Sequence, residues 1–282
     1  MSEEINKKKA LAGAEKLKGL LRSYESAVVA FSGGVDSSLL LSTAVALLGP
    51  KMVLAVTFKS PLNPQREVED AAELAEVMQV KHRVINLDPC SEADFAANPP
   101  QRCYTCKKLL FSRLVKLAEN EGFNAVLEGS NIDDLDDYRP GLRAIKELGV
   151  HSPLLEAGLG KAEIRFLSRR DGLPTWNKTS AACLASRIPY GEEITPEKLK
   201  QVAAAESALR EMGIEGNLRV RRHGSLARIE VDGSAFNLVA ARRGEIEEKL
   251  RKTGFSYVTL DLSGFRSGSL NRNIKSLNKN IK

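Results

Sequence analysis

Apolar residues at Leu11, Ala14, Leu17, Leu20, Leu21 and Tyr24 recur every three or four positions, which predicts an amphipathic helix near the start of the chain. The period then changes. Ala27–Phe31 is a short, continuous apolar run stopped by Ser32-Gly33-Gly34, the pattern of a strand buried on both faces. Leu39–Leu48 fits the following helix, which Gly49-Pro50 ends. Met52–Phe58 reads as a second strand, and residues 65–78 as a helix with Val68, Ala71, Leu74, Ala75 and Met78 inward. His82–Leu87 alternates as a third strand does, and Ala125–Leu127 is the core of a fourth. Strands separated by helices need crossover connections, so this half predicts an α/β fold with a largely parallel sheet covered on both faces.

After about Gly191 the rhythm differs. A helix over residues 196–212 precedes two closely spaced strands, Leu218–Arg222 and Leu226–Val231, whose His223-Gly224-Ser225 link predicts an antiparallel pair. A helix over 235–252 and a strand over 257–262 complete the pattern. We therefore expect a domain at 1–190 and a smaller α+β domain at 191–282, the latter serving substrate binding or oligomerisation.

Composition narrows the class. The 282 residues are 43% hydrophobic, 28% charged and 5% aromatic, which supports a folded core and excludes a disordered or collagen-like chain. The nearly apolar stretch Leu39–Leu48 is far short of the ~20 residues that span a bilayer, and the charged start lacks a signal-peptide core, so a cytoplasmic protein without membrane contact is expected. The net charge of +6 is not a nucleic-acid signature. Arg266, Arg272, Lys275, Lys279 and Lys282 sit in a tail without a single acid, which leaves the rest nearly neutral.

The turn after the first strand carries the clearest chemistry. Ser32-Gly33-Gly34-Val35-Asp36-Ser37-Ser38 places glycines and hydroxyls at a helix N-terminus, where backbone N–H groups and the helix dipole favour a phosphate. The Walker lysine and GxGxxG are both absent. The heptapeptide instead resembles SGGxDS, the pyrophosphate loop (PP-loop) of enzymes that cleave ATP between its α and β phosphates. That resemblance makes Ser32, Gly33, Gly34, Ser37 and Ser38 the cradle, with Asp36 near the metal or capping the helix. It also puts the end of the second strand, Thr57 with Ser60 beyond, at the adenine. Gly129 and Asn131, just after the fourth strand, would face the same crevice. One acid among Asp133, Asp134, Asp136 and Asp137 is a candidate to help hold Mg2+.

Four cysteines follow no disulfide pattern. Cys103 and Cys106 form a CxxC that could be half a zinc site, but a second CxxC is missing. With Cys183 they make three thiols, enough to hold a 4Fe–4S cluster with one iron open to an outside ligand. Cys183 could equally act as a lone nucleophile assisted by Arg187, and Cys90 reads as an inert thiol. Arg219 and Arg221 alternate along one strand and so share a face suited to a phosphate. Glu206 lies on the helix before them, and Trp176 reads as a packing anchor.

Taken together, the segments SGGVDSSLL (32–40), SPLNP (60–64), RCYTCKKLLF (102–111), EGSNIDDLDDYRPG (128–141), ACLASRIPYG (182–191), LRVRRHG (218–224) and DLSGFRSGSLN (261–271) resemble the LarE family, the ATP-dependent sulfur transferases of nickel-pincer cofactor synthesis. The resemblance implies ATP and Mg2+ as cofactors and pyridinium-3,5-biscarboxylic acid mononucleotide as substrate, its carboxylates adenylated and then converted to thiocarboxylates with release of AMP and pyrophosphate. It implies substrate contacts at Arg187, Glu206, Arg219 and Arg221 and a homo-oligomer. Family members take sulfur either from a single cysteine matching Cys183, which becomes dehydroalanine, or from a 4Fe–4S cluster that passes on sulfide from an external donor. The CxxC implies the cluster type, with Cys103, Cys106 and Cys183 as ligands. A PP-loop tRNA thiolase is the competing expectation, and it should carry a folded basic surface.

Overall fold

The computed structural model describes residues 2–136, 139–179, 183–266 and 270. They form two compact units: one of residues 2–60, 64–87, 103–136 and 139–179, the other of residues 61–63, 88–102, 183–266 and 270.

The first unit is built on a four-stranded parallel sheet, ordered β3-β2-β1-β4, from β1 (Ala27–Ala30), β2 (Val53–Lys59), β3 (Lys81–Asn86) and β4 (Ala125–Leu127). α1 (Ser2–Arg22), α2 (Val35–Leu48) and α3 (Gln65–Val77) belong to this unit. So do α5 (Arg102–Glu121), α6 (Gly141–Glu147), α7 (Pro153–Glu156) and α8 (Lys161–Arg170), while α4 (Ala93–Ala96) belongs to the second. Alternation along β1 divides the core. Ala27 and Val29 join Leu17, Leu21, Leu40, Ile164 and Leu167 on one face, and Val28 joins Leu54, Phe111, Leu114 and Ile145 on the other. Burial on both faces explains the unbroken apolar runs. α1 turns Ala10 rather than Leu11 inward; Leu11 is 39% exposed. The reason is close packing at Gly13, where a Cβ would come within 2.4 Å of the Leu159 side chain.

The second unit holds a three-stranded sheet, β5-β6-β7, from β5 (Leu218–His223), β6 (Leu226–Val231) and β7 (Tyr257–Leu260). β5 and β6 are antiparallel across Gly224-Ser225, where Gly224 has a φ of 59°. β7 runs parallel to β6 after a helical crossover. That crossover, read as one helix from the sequence, is two: α10 (Phe236–Ala241) and α11 (Arg243–Lys252), broken at Arg242. The Arg242 guanidinium turns back to the Met212 carbonyl and to Glu245. α9 (Pro196–Glu211) starts with Thr195 accepting from the Lys198 N–H and lies against β5.

This unit also draws in residues 61–63, 88–102 and 183–190, which lie before the boundary expected near 190. Buried Asn98 is the reason. Its side-chain amide donates to the carbonyls of Pro189 (2.7 Å) and Glu192 (2.9 Å), and its own carbonyl accepts from the Gly191 N–H.

Candidate functional site

In the first unit the chain runs from β1 through β2 to β3 on one side and then places β4 on β1's other side, so the strand order reverses at β1. A crevice opens beyond the carboxyl ends of strands at such a switch point. Two segments stand there: Ser32–Ser38 after β1, and Glu128–Asn131 after β4. The first is drawn tight by its own hydroxyls. Ser37 Oγ accepts from the Ser32 N–H (3.3 Å), donates to the Gly34 carbonyl (3.2 Å) and lies 3.1 Å from Ser32 Oγ. Gly33 takes a φ of 67°, and a Cβ there would sit 3.2 Å from both Cα and Cβ of Ala71. The second segment approaches closely, since a Cβ on Gly129 would lie 3.2 Å from Ser37 N. Both glycines are therefore required by space, and Gly33 also by conformation.

Ser38 is fully buried, and its hydroxyl has no hydrogen-bond partner among the described residues. Leaving such a group unsatisfied costs about 1–3 kcal/mol, a cost that an acceptor arriving at the loop would remove. Asp36 heads α2 and is held from two sides. Asn131 Nδ2 donates to Oδ1 at 3.4 Å, and Lys161 Nζ lies 2.5 Å from Oδ2. Asn131 Oδ1 accepts from the Asp133 N–H, and Asp133 Oδ2 accepts from the Lys161 N–H, so the three segments interlock. Asp134 pairs with Arg139, while Asp137 and the side chain of Asp136 lie outside the described residues. Magnesium takes one or two carboxylates and fills its sphere with water and phosphate. Asp36 with Asp133 nearby fits that donor set.

Thr57 is buried at the end of β2 with its hydroxyl committed. It donates its one proton to the Phe31 carbonyl (2.7 Å), so His82 Nε2 at 2.8 Å must be the donor in that contact. Burial lowers the His82 pKa, which favours a neutral ring carrying its proton on Nε2. Ser60 is half-buried where the first unit's chain passes to residues 61–63.

Two residues here carry more than the sequence assigned them: Glu128, which it placed at the crevice without a role, and Lys161, which it did not single out. Glu128 is buried and bonded to Ser152 Oγ (2.5 Å), Ser130 Oγ (2.8 Å) and Lys107 Nζ (3.2 Å). Burial pushes its pKa up, but the Lys107 charge and the serine hydrogen bonds prevail and hold it below the usual value. Lys161, at the start of α8, is the other. Its signal was a lysine after glycine at a helix start, Gly158-Leu159-Gly160-Lys161.

The second unit gathers Cys183, Arg187, Glu206, Arg219 and Arg221. Cys183 precedes a turn of 3-10 helix, Leu184–Arg187, and its carbonyl accepts from the Ser186 N–H. Arg187, 4% exposed, grips Glu206 with two nitrogens (2.6 and 3.3 Å), and the same carboxylate accepts from the Val220 N–H. Arg221, 3% exposed, bonds Glu230 (2.6 Å) and the Ser186 carbonyl (2.6 Å). Arg219 shares Arg221's face of β5, as the alternation requires, but is held differently. It stacks on Phe265 (4.1 Å) and donates to the Arg266 carbonyl (3.3 Å). Burial, with the charges of Arg187 and Arg221, pushes its pKa down to about 10. A cation disfavoured by its surroundings is a cation that an anion would stabilise.

All four cysteines are thiols rather than disulfides. Cys103 and Cys106 stand about one turn apart at the start of α5 in the first unit, whereas Cys183 and Cys90 belong to the second. Burial and Asp88 push the Cys90 thiol up to about 12, with smaller contributions from Cys183 and Glu197. The cluster expected at Cys103, Cys106 and Cys183 is not supported: among the described residues no group of three or more His, Cys, Asp or Glu could hold a metal ion. No helix among them is long and apolar enough to cross a membrane. Trp176 is 36% exposed and stacks under Arg169 (4.9 Å).

A parallel sheet with this serine–glycine loop at its switch point is an NAD synthetase-like PP-loop fold. The NAD synthase family matches residues 15–120. The NMN synthetase of Francisella tularensis superposes with a TM-score of 0.50 at 22% identity, over 61% of this chain and 75% of that one, a likeness of fold alone. Among sequences, the uncharacterized protein slr1717 of Synechocystis is 43% identical over 92% of this chain and 96% of its own. The pyridinium-3,5-bisthiocarboxylic acid mononucleotide synthase of Lactiplantibacillus plantarum is 40% identical over 89% of this chain and 91% of its own. The chain belongs to this synthase family, the LarE enzymes.

Proposed function

We propose that the protein is an ATP-dependent sulfur transferase that converts the carboxylates of a pyridinium-3,5-biscarboxylic acid mononucleotide to thiocarboxylates. Its relationship to the Lactiplantibacillus synthase supports the substrate class. The observation that carries the chemistry is the loop itself, where Ser38 keeps a buried hydroxyl with no partner among the described residues, beside Gly33, Gly34 and Ser37.

A carboxylate oxygen of the substrate attacks the α-phosphate of ATP and forms an acyl-adenylate while pyrophosphate leaves. The loop's hydroxyls and backbone N–H groups stabilise the charge on the departing pyrophosphate. Bound magnesium would neutralise part of that charge, and Asp36 and Asp133 are the residues that would hold it. In the second unit Arg219 receives the substrate's phosphate, and the Arg187–Glu206 and Arg221–Glu230 pairs fix the surrounding backbone.

The Cys183 thiolate then displaces AMP to give a thioester. Removal of the Cys183 Cα proton breaks its Cβ–S bond, so the thiocarboxylate departs and dehydroalanine remains. No oxidant is needed, and each sulfur delivered consumes one cysteine. A second reading, in which a 4Fe–4S cluster carries the sulfur, is favoured by one observation: Cys103 and Cys106 stand one helical turn apart. No step above depends on it.

The test is release of pyrophosphate and AMP on adding the dicarboxylate mononucleotide, compared between wild type and Cys183→Ser. Both should release pyrophosphate, and only wild type should yield thiocarboxylate. Thiocarboxylate formation by Cys183→Ser would refute the assignment of Cys183, and absence of pyrophosphate from both would refute the adenylation.

A further inference from the structure

No step of the sulfur transfer above uses the CxxC. Cys103 and Cys106 open α5, in the connection that joins β3 to β4 of the parallel sheet. A CxxC takes that place in thiol–disulfide oxidoreductases, where the start of a helix holds two thiols close enough to close a small ring. The pair is also unequal: Cys103 is exposed and Cys106 half-buried. An exposed thiol meets an outside disulfide first, and a sheltered one resolves the bond it forms.

The residue after Cys106 reaches the segment that follows β4. Lys107 Nζ donates to Glu128 Oε2 at 3.2 Å, and buried Glu128 in turn accepts from the Ser130 N–H at 3.0 Å. Gly129, held between them, lies so close to the loop after β1 that a Cβ would come within 3.2 Å of Ser37 N. Packing leaves the start of α5 little slack. A Cβ on Gly141, the first residue of α6, would sit 2.8 Å from Lys107 Cδ and 3.2 Å from the Cys103 carbonyl oxygen. Closing a Cys103–Cys106 bond draws the two Cβ atoms from the about 5–6 Å usual at this helical spacing to roughly 4 Å, and Lys107 moves with that turn.

We propose that Cys103 and Cys106 form a thiol–disulfide exchange site for low-molecular-weight disulfides, and that its oxidation weakens nucleotide binding at the loop by withdrawing Lys107 from Glu128. The Cys103 thiolate attacks one sulfur of the small disulfide, forming a mixed disulfide and releasing the first small thiolate. The Cys106 thiolate then attacks the Cys103 sulfur, closes the Cys103–Cys106 bond and expels the second. The two cysteine sulfurs together lose two electrons, the small disulfide gains them, and the two cysteine protons go to the released thiolates. The exchange itself is independent of the proposed function, whereas its effect on the nucleotide rests on that reading of the loop.

The experiment equilibrates the full chain, prepared without added iron, in glutathione buffers of stepped oxidised-to-reduced ratio, then quenches with acid and alkylates. Tryptic cleavage after Arg102 and Lys107 leaves both thiols, and no other cysteine, in one peptide, 103–107, whose mass reports the bond. ATP affinity is titrated on the same samples. Wild type should convert to a peptide lighter by the two thiol hydrogens, and Cys106→Ser should stop at a glutathione adduct on Cys103. Oxidised wild type should bind ATP about tenfold more weakly than reduced, the scale of one charge-assisted contact. Cys103→Ser should bind ATP alike before and after oxidation, and Lys107→Met should bind it weakly in both states. A peptide that stays reduced, or takes glutathione on both cysteines, at every ratio would overturn the exchange site. Equal ATP affinity of the two wild-type forms would overturn its coupling to the loop. Reduced wild type that binds no ATP would remove the nucleotide reading and that coupling with it, while the peptide mass still decides the exchange.

Discussion

The two units organise their polar groups by opposite means. In the first, the loop at residues 32–38 is made of backbone, glycine and hydroxyls, and its shape is set by steric limits at Gly33 and Gly129. In the second, long side chains carry the network: Arg187, Arg221 and Arg228 are tied to Glu206 and Glu230, and Arg219 has no carboxylate contact among the described residues. A backbone site tolerates almost no change of shape, whereas a side-chain network tolerates shape changes but not the loss of one charge. The difference teaches which substitutions should damage folding and which should damage binding.

The largest effect on stability should come from Arg221→Ala. It leaves Glu230, 1% exposed, short of a partner in the core of the second unit, and breaking such a buried pair costs about 3 kcal/mol. Denaturant unfolding measures it, and a loss no greater than that of an ordinary surface substitution would contradict the network's role. Next, Gly33→Ala forces a side chain into a left-handed conformation against Ala71, for a cost of about 1–3 kcal/mol in the melting transition of the first unit.

Arg219→Ala sharpens the contrast. Among the described residues its guanidinium has no ion pair to lose, only the stacking on Phe265, so stability should change by no more than about 1 kcal/mol. Affinity for a pyridinium mononucleotide, read by calorimetry, should fall about tenfold. The smallest effect concerns pH. Glu128 is held below its usual value of 4.5, so its stabilising contribution is complete above that value and is lost as pH falls through the lower folded-state value. The stability difference between wild type and Glu128→Gln, followed by unfolding at stepped pH, should be greatest near neutrality and shrink under acid conditions.

Much of this arrangement was legible in the sequence, for a physical reason. β1, β2 and β4 are buried on both faces and read as apolar runs, and the loop after β1 is contiguous, so its chemistry is written in seven adjacent residues. The alternation of Arg219 and Arg221 placed both on one face of β5. What sequence could not convey were contacts across long separations. Lys161 meets Asp36, Arg187 meets Glu206, and Asn98 joins residues 88–102 to the second unit, each through hydrogen bonds that leave no periodic trace. Leu11 misled for a related reason: its spacing fits the helical stripe, but the close approach of Leu159 at Gly13 rotates α1 toward Ala10. The cluster expectation rested on three thiols and on a family resemblance, and among the described residues no metal-holding group supports it.

Sulfur leaving Cys183 is the step on which the functional account stands. Mass analysis of the peptide containing residue 183, after one turnover with ATP and the dicarboxylate mononucleotide, tests it directly, with iron content measured on the same anaerobically prepared protein. Conversion of Cys183 to dehydroalanine, in proportion to thiocarboxylate formed and without iron, is the expected result. An intact Cys183 after repeated turnover by iron-loaded protein would contradict it and transfer the role to a metal–sulfur cluster.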